Sequence, residues 1–224
     1  MKKLYVSNKD ESVRMFKSDV LESLSKVHFS VPLILYIPLI VYSLYLASQQ
    51  PDLSLLAGIG FFAGGVLLWS LVEYLLHRYI FHYVPKSSWG LRMHFIFHGV
   101  HHDYPNDSKR LVMPPSVSLP LAVLFYFIFW SIFPEVYLHA SFAGFVLGYL
   151  IYDMLHYAIH HVEMKGKWWI ALKTHHLKHN IKDPDKGYGV SSPFWDEIVG
   201  SNFRKGNEKR RSDRKKSNIH SKAV

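Results

Sequence analysis

LSLLAGIGFFAGGVLLWSLV, residues 53–72, runs for 20 residues without a charge and passes directly into EYLLHRYIFH, residues 73–82, which carries two histidines. Crossing the ~30 Å hydrocarbon core takes about 20 helical residues, so the first string is long enough to span a bilayer. Three more stretches have the same character: residues 30–47 (SVPLILYIPLIVYSLYLA), residues 111–134, and residues 136–152, where His139 is the only member of the Asp, Glu, Lys, Arg and His set. A cleaved leader does not account for the first of them. A long, charged segment precedes it, and no small-residue cleavage site opens a soluble domain after it. Four spans result, arranged as two hairpins that turn at residues 48–52 (SQQPD) and 133–135 (FPE).

Neither turn contains Lys or Arg, whereas basic residues gather in 1–29, 77–110 and 201–224. The positive-inside rule then places both termini and the long central loop in the cytosol. The reading is an all-α integral membrane protein: a cytosolic N-terminal segment (1–29), a membrane-embedded domain (30–203) with a cytosolic helical cap, and a basic, disordered tail (204–224). That tail supplies most of the formal net charge of +9. Being a short terminal run without interleaved aromatics, it reads as a segment facing anionic lipid, not nucleic acid. The absence of cysteine excludes disulfides, Cys-ligated iron–sulfur clusters, thiolate haem and a cysteine nucleophile.

Of 15 histidines, most lie in four tight clusters: His77 and His82; His94, His98, His101 and His102; His156, His160 and His161; His175, His176 and His179. At helical spacing His98, His101 and His102 share a face, as do the pairs His156/His160 and His176/His179. His77 and His82 are five apart and diverge on a straight helix, so they serve two metals or straddle a helix end. Neutral imidazole suits iron, zinc, copper and nickel, and nine or ten such rings are too many for one ion. Two adjacent metals just beyond the cytosolic ends of the spans fit the number. His94, His161 and His175 stand as more distant donors or surface groups. Glu73 and Asp153 are placed to accept the free ring N–H of His77 and His156, or to mark span ends. Asp196 is placed to accept from a ligating histidine, or to cap a helix. Arg110 meets a lipid headgroup or acts as a positive-inside anchor.

HRYIFH (77–82), HFIFHGVHH (94–102), KRLVMPP (109–115), YDMLHYAIHH (152–161) and KGYGVSSPFWDEIVG (186–200) together resemble the fatty acid hydroxylase/sterol desaturase superfamily of membrane di-iron oxygenases. RLVMPP and GYGVSSPFWD point to its fatty acid 2-hydroxylase branch. The resemblance implies two iron ions, replaceable by zinc, on His77, His82, His98, His101, His102, His156, His160, His176 and His179. It also implies O₂-dependent hydroxylation at C2 of a fatty acyl chain, free or within a ceramide-type lipid. Tyr152, Tyr157, Tyr188, Phe194 and Trp195 become candidates to line or gate the acyl channel, or to serve in packing alone. The sequence departs from the family in one position. The last motif, usually HxxHH, reads His176-Leu-Lys-His179-Asn180, and an asparagine carbonyl is a weaker iron ligand than imidazole.

No HPGG haem motif occurs, so no bound haem is expected, and electrons come from a separate carrier, a cytochrome b5 or a ferredoxin with its reductase. The compartment is the endoplasmic reticulum in a eukaryote and the inner membrane in a bacterium. Rival readings are a sterol oxidase, desaturase or carotenoid hydroxylase on the same metals, and a non-catalytic lipid- or metal-binding membrane protein.

Overall fold

The computed structural model describes residues 4–203. The basic tail assigned to 204–224 lies outside them. Every regular element among the described residues is helical: α1 (Asp19–Leu24), α2 (Ser30–Ser48), α3 (Leu55–Leu75), α4 (Ser88–His94), α5 (Val100–Asp103), α6 (Pro115–Ile132), α7 (Glu135–His161), α8 (Lys167–Ile181) and α9 (Phe194–Val199). Among the described residues, α2, α3 with its continuation to Phe81, α6 and α7 are the four long enough and apolar enough to cross a membrane.

Their packing differs from two paired hairpins. The most extensive contact is between α3 and α7, followed by α2 with α7, and α6 also rests on α7. Burial identifies the same hub: 61% of the apolar stretch of α7 is buried, against 28% for α2 and 11% for α3 and for α6. Loop length alone makes α2 and α3 neighbours in sequence. Side-chain size makes α7 the hub. Lipid tails are as apolar as leucine, so spans associate through close backbone approach instead of water exclusion. A Cβ added to Gly65 would meet Ser141 O at 2.1 Å, and one added to Gly144 would meet Phe62 O at 1.9 Å. Nearer the histidines, Trp69 lies against Gly148 and sets its ring edge-on to Phe145 and Tyr149, both centroids at 5.2 Å. Tyr36 of α2 closes on Tyr149 at 4.9 Å. Ile34, Val41, Leu56, Ile59, Val123 and Phe127 point outward, as lipid-facing positions do.

The extended N-terminal segment straps the loop that follows α5. Val6 and Ser7 N–H donate to Asp103 O (2.9 and 3.1 Å), Ser108 N–H donates to Asp10, and Ser12 Oγ donates to Asp107 (2.6 Å). Arg110 is neither a headgroup contact nor an exposed anchor. Its side chain is 3% exposed and pairs with Glu22 (2.6 Å) and Asp107 (3.4 Å), besides donating to Val13 O. Burial would raise the Glu22 carboxyl, but Lys26, the Phe16 and Met15 amides and Arg110 hold it down at about 2. Pro114 and Pro115 then open α6 at its N-cap and first turn.

Two outcomes are expected. Gly144→Ala should overpack the α3–α7 contact by about 1–3 kcal/mol and lower the unfolding midpoint in detergent. Gly60→Ala, with nothing within 4 Å of its added Cβ, should leave it unmoved. Because the folded-state value of Glu22 is depressed, its contribution is full above its ordinary value of 4.5 and is lost as pH falls towards about 2. Limited proteolysis of residues 4–18 across that window should accelerate in the wild type. In Glu22→Gln it should already be fast at neutral pH.

Candidate metal centre

Local helix geometry decides where the first two histidines go. The hydrogen bonding of α3 widens to i→i+5 over Leu76–Phe81, and His82 N–H closes the turn on His77 O at 3.1 Å. A five-residue separation that diverges on an α-helix converges on this wider π-turn, a feature frequent at functional sites. The two rings stand 5.0 Å apart on one side. They therefore do not divide between two groups; the pair straddles the helix end, with His77 inside the turn and His82 at its C-cap. A second such turn, Phe95–Gly99, links α4 to α5 and carries His98.

Nine histidines collect in two groups, each with one ring nitrogen per residue and all those nitrogens within 4.8 Å of one another. The first is His77, His82, His98, His102 and His179; the second is His101, His156, His160 and His176. These are the nine residues the family resemblance carries over. The helical faces that appeared shared are in fact split: His98 and His102 enter the first group and His101 the second, while His179 enters the first and His176 the second. Each of α5 and α8 thus feeds both groups. That holds the groups side by side, with the His101 and His102 rings 5.8 Å apart.

The nitrogens cannot satisfy one another. His98 Nε2 lies 3.1 Å from His77 Nε2, 3.1 Å from His82 Nε2 and 3.0 Å from His102 Nε2. A ring nitrogen has a single in-plane direction, occupied by one hydrogen or one lone pair, so it serves one such neighbour. A shared cation removes the conflict: nitrogens about 2.1 Å from an ion and at right angles around it stand about 3.0 Å apart. The second group keeps the same spacing, 3.0 Å for His156–His101 and 3.2 Å for His176–His160.

Tautomers agree. His77 Nδ1 donates to Tyr188 O, and His179 Nδ1 to Lys186 O (2.8 Å), which turns each Nε2 lone pair inward. His179 Nε2 is buried with no protein partner. Burial first, and neighbouring rings second, push His98, His101 and His176 well below the ordinary histidine range, His82 to about 2 and His102 to about 3. For His179, burial outweighs the Lys186 carbonyl and brings it to about 4. Neutral, desolvated imidazoles aimed at common centres are the donor set of iron or zinc.

The nearby carboxylates do not accept from His77 or His156. Glu73 takes Val190 N–H (2.8 Å), Ser191 N–H (2.9 Å) and Ser191 Oγ (2.5 Å). Asp153 takes Met113 N–H (3.1 Å) and the Tyr149 hydroxyl (3.2 Å). Both pin irregular backbone whose buried amides lack a helical partner. Asp196 does accept from a histidine, His175 (3.1 Å), together with Tyr188 N–H, Gly189 N–H and Ser201 Oγ. Burial would raise Asp196, and these four donors overcome it and hold the carboxyl below its ordinary value. Through Tyr188 it braces the carbonyl that orients His77. His175 consequently faces Asp196 and Phe203, away from both groups. His161 stacks on Tyr157, and His94 leaves a buried Nδ1 without a hydrogen bond.

The five aromatic candidates are dispersed. Tyr188 is edge-on to His77, His82 and His179; Tyr152 stacks beside His156; Tyr157 lies on Phe29. Trp195 donates to Ser70 Oγ (3.1 Å), and Phe194 points outward. An apolar crevice opens instead between α2, α3, α6 and α7, lined by Tyr36, Trp69, Leu76, Met113, Phe145 and Tyr149 among others. Leu76 adjoins His77. Apart from Met113, which lies in the KRLVMPP string before α6, nothing in the sequence marks these residues, because each is a largely apolar side chain inside a span.

Comparison with known proteins gives concordant findings. A sequence model of the family "Fatty acid hydroxylase" matches residues 62–201. Rat "Fatty acid 2-hydroxylase" is 38% identical over 205 residues, covering 82% of this chain and 55% of the rat protein. Arabidopsis "Dihydroceramide fatty acyl 2-hydroxylase FAH2" is 36% identical over 196 residues, covering 85% of this chain and 80% of that one. Among solved structures, "Full length scs7p (only hydroxylase domain visible)" superposes with a TM-score of 0.78 at 36% identity, over 83% of this chain and 70% of that chain. The chain spans about half the length of the rat relative.

Removing the Asp196 carboxylate strands buried amide donors, a loss of about 1–3 kcal/mol for each group left unpaired. Asp196→Ala should lower the unfolding midpoint and accelerate amide hydrogen exchange at Tyr188 and Gly189. Protection unchanged at both would show that the carboxylate does not brace this loop.

Proposed function

The chain belongs to the fatty acid hydroxylase family, and from that premise we propose that it is a membrane di-iron oxygenase that hydroxylates C2 of a fatty acyl chain. The observation that carries the reading is the pair of neighbouring, buried histidine groups, with an apolar crevice whose lining residue Leu76 directly precedes His77. His77, His82, His98, His102 and His179 would hold one iron; His101, His156, His160 and His176 would hold the other. When bound, the irons supply the activation of O₂ and the oxidation of an unactivated C–H bond.

The chain's own residues supply position and exclusion of water. Tyr188 O and Lys186 O keep the His77 and His179 lone pairs inward, and Glu73, Asp153 and Asp196 fasten the backbone that seals the centre. The crevice beside Leu76 takes the acyl tail, so chain depth along Trp69, Phe145 and Tyr149 sets which carbon reaches the metals. The relatives are named for fatty acid and for dihydroceramide fatty acyl substrates. A ceramide-type or free fatty acyl chain is therefore the substrate class. Lys and Arg avoid both short turns, which supports a site on the cytosolic side, and a cytochrome b5 or a ferredoxin is the electron donor we propose.

The test is lipid profiling of cells expressing the chain, with metal analysis of the same purified preparation. 2-Hydroxylated acyl chains should accumulate only with O₂ and a donor system, alongside two iron equivalents per chain. His98→Ala, which removes the nitrogen touching three others, should cut product by at least about 100-fold. Equal product from wild type and His98→Ala would end this reading, and an oxidised sterol or carotenoid as sole product would replace the substrate.

A further inference from the structure

The second histidine group has four rings where the first has five, and Asn180 stands in the remaining place. Asn180 is 1% exposed and sits one turn beyond His176 on the same face of α8. Its amide end lies 3.0 Å from His101 Nε2, 3.3 Å from His176 Nε2 and 3.4 Å from His160 Nε2. The ring nitrogens keep nearly the same separations among themselves, 3.0 and 3.2 Å. A side chain that only filled space would not put one polar atom within 3.0–3.4 Å of three ligand atoms.

The hydrogen-bonding inventory points the same way. With Nδ2 inward, an NH₂ group with two hydrogens faces three ring nitrogens, while the buried Oδ1 has no partner at all. The oxygen and nitrogen ends of an asparagine amide have the same shape and exchange by rotation. With Oδ1 inward, a carbonyl lone pair points at the centre that the three nitrogens share.

We propose that Asn180 is the fifth protein ligand of the second metal, bound through its side-chain carbonyl oxygen, so that the two ions are held unequally. The inference rests on the two-metal reading above. A neutral amide oxygen is a harder and weaker donor to iron or zinc than imidazole. The second group therefore releases its ion first, whereas the all-histidine group retains its own.

The experiment uses the full chain purified in detergent, loaded with Zn²⁺ and titrated with a chelator, with metal per chain read by mass spectrometry. Wild type should hold two equivalents and lose one at distinctly lower chelator concentration. Asn180→His should move that early release to at least about tenfold higher chelator, the scale of strengthening one partner at a metal site. Asn180→Leu, similar in size and without a donor, should move the early release to at least about tenfold lower chelator with the late release unchanged. An Asn180→Leu release curve superposing on wild type, or no tightening in Asn180→His, overturns the proposal while two equivalents in wild type leave the two-metal reading standing. No retained metal in wild type defeats both. Because the expected effect of Asn180→His is a gain, misfolding cannot produce it.

Discussion

Nine imidazoles have been brought to a distance at which their nitrogens cannot satisfy one another, and the rest of the molecule exists to keep them there. His98 Nε2 with three ring nitrogens at 3.0–3.1 Å is the sharpest instance. Water could relieve such a contact, and burial denies it. The same burial keeps the rings neutral, so that lone pairs instead of protons face the two centres. A cation at each centre turns the conflict into coordination, which is why geometry and protonation lead to one conclusion.

Holding that arrangement takes contributions from distant parts of the chain. The glycines of α3 and α7 let two spans approach until backbone meets backbone, which aligns the histidine-bearing ends of both. Both carboxylates that end spans, Glu73 and Asp153, are spent on backbone amides of the 190–191 and 113 segments. Asp196 does likewise for 188–189. A buried amide without a partner costs about as much as a lost hydrogen bond, so irregular segments near the centre need such acceptors. The ring orientation of His77 and His179 follows from those segments, through the carbonyls of Tyr188 and Lys186. The N-terminal strap and the buried Glu22–Arg110 pair hold the segment after α5 in the same manner.

The two groups share α5 and α8 without sharing residues, so their separation is set by helix pitch. Neighbouring histidines on one turn, His101 and His102, point about 100° apart and land in different groups. The doublet thereby becomes a spacing device for the two groups. Asn180 breaks the symmetry of the two groups at one vertex.

Membrane spans, the histidine set and its multiplicity could be read from residues alone, because apolar length and ligand type are one-dimensional properties. Family strings added the chemistry. That His77 and His82 join one group could not be read, since it depends on a π-turn at Leu76–Phe81 that changes the angular step by which side chains are counted. The partners of Glu73 and Asp153, the burial of Arg110 and the lining of the crevice were hidden for a related reason. Each depends on a contact between segments far apart in sequence, and only the packing of α2, α3 and α6 about α7 brings those segments together.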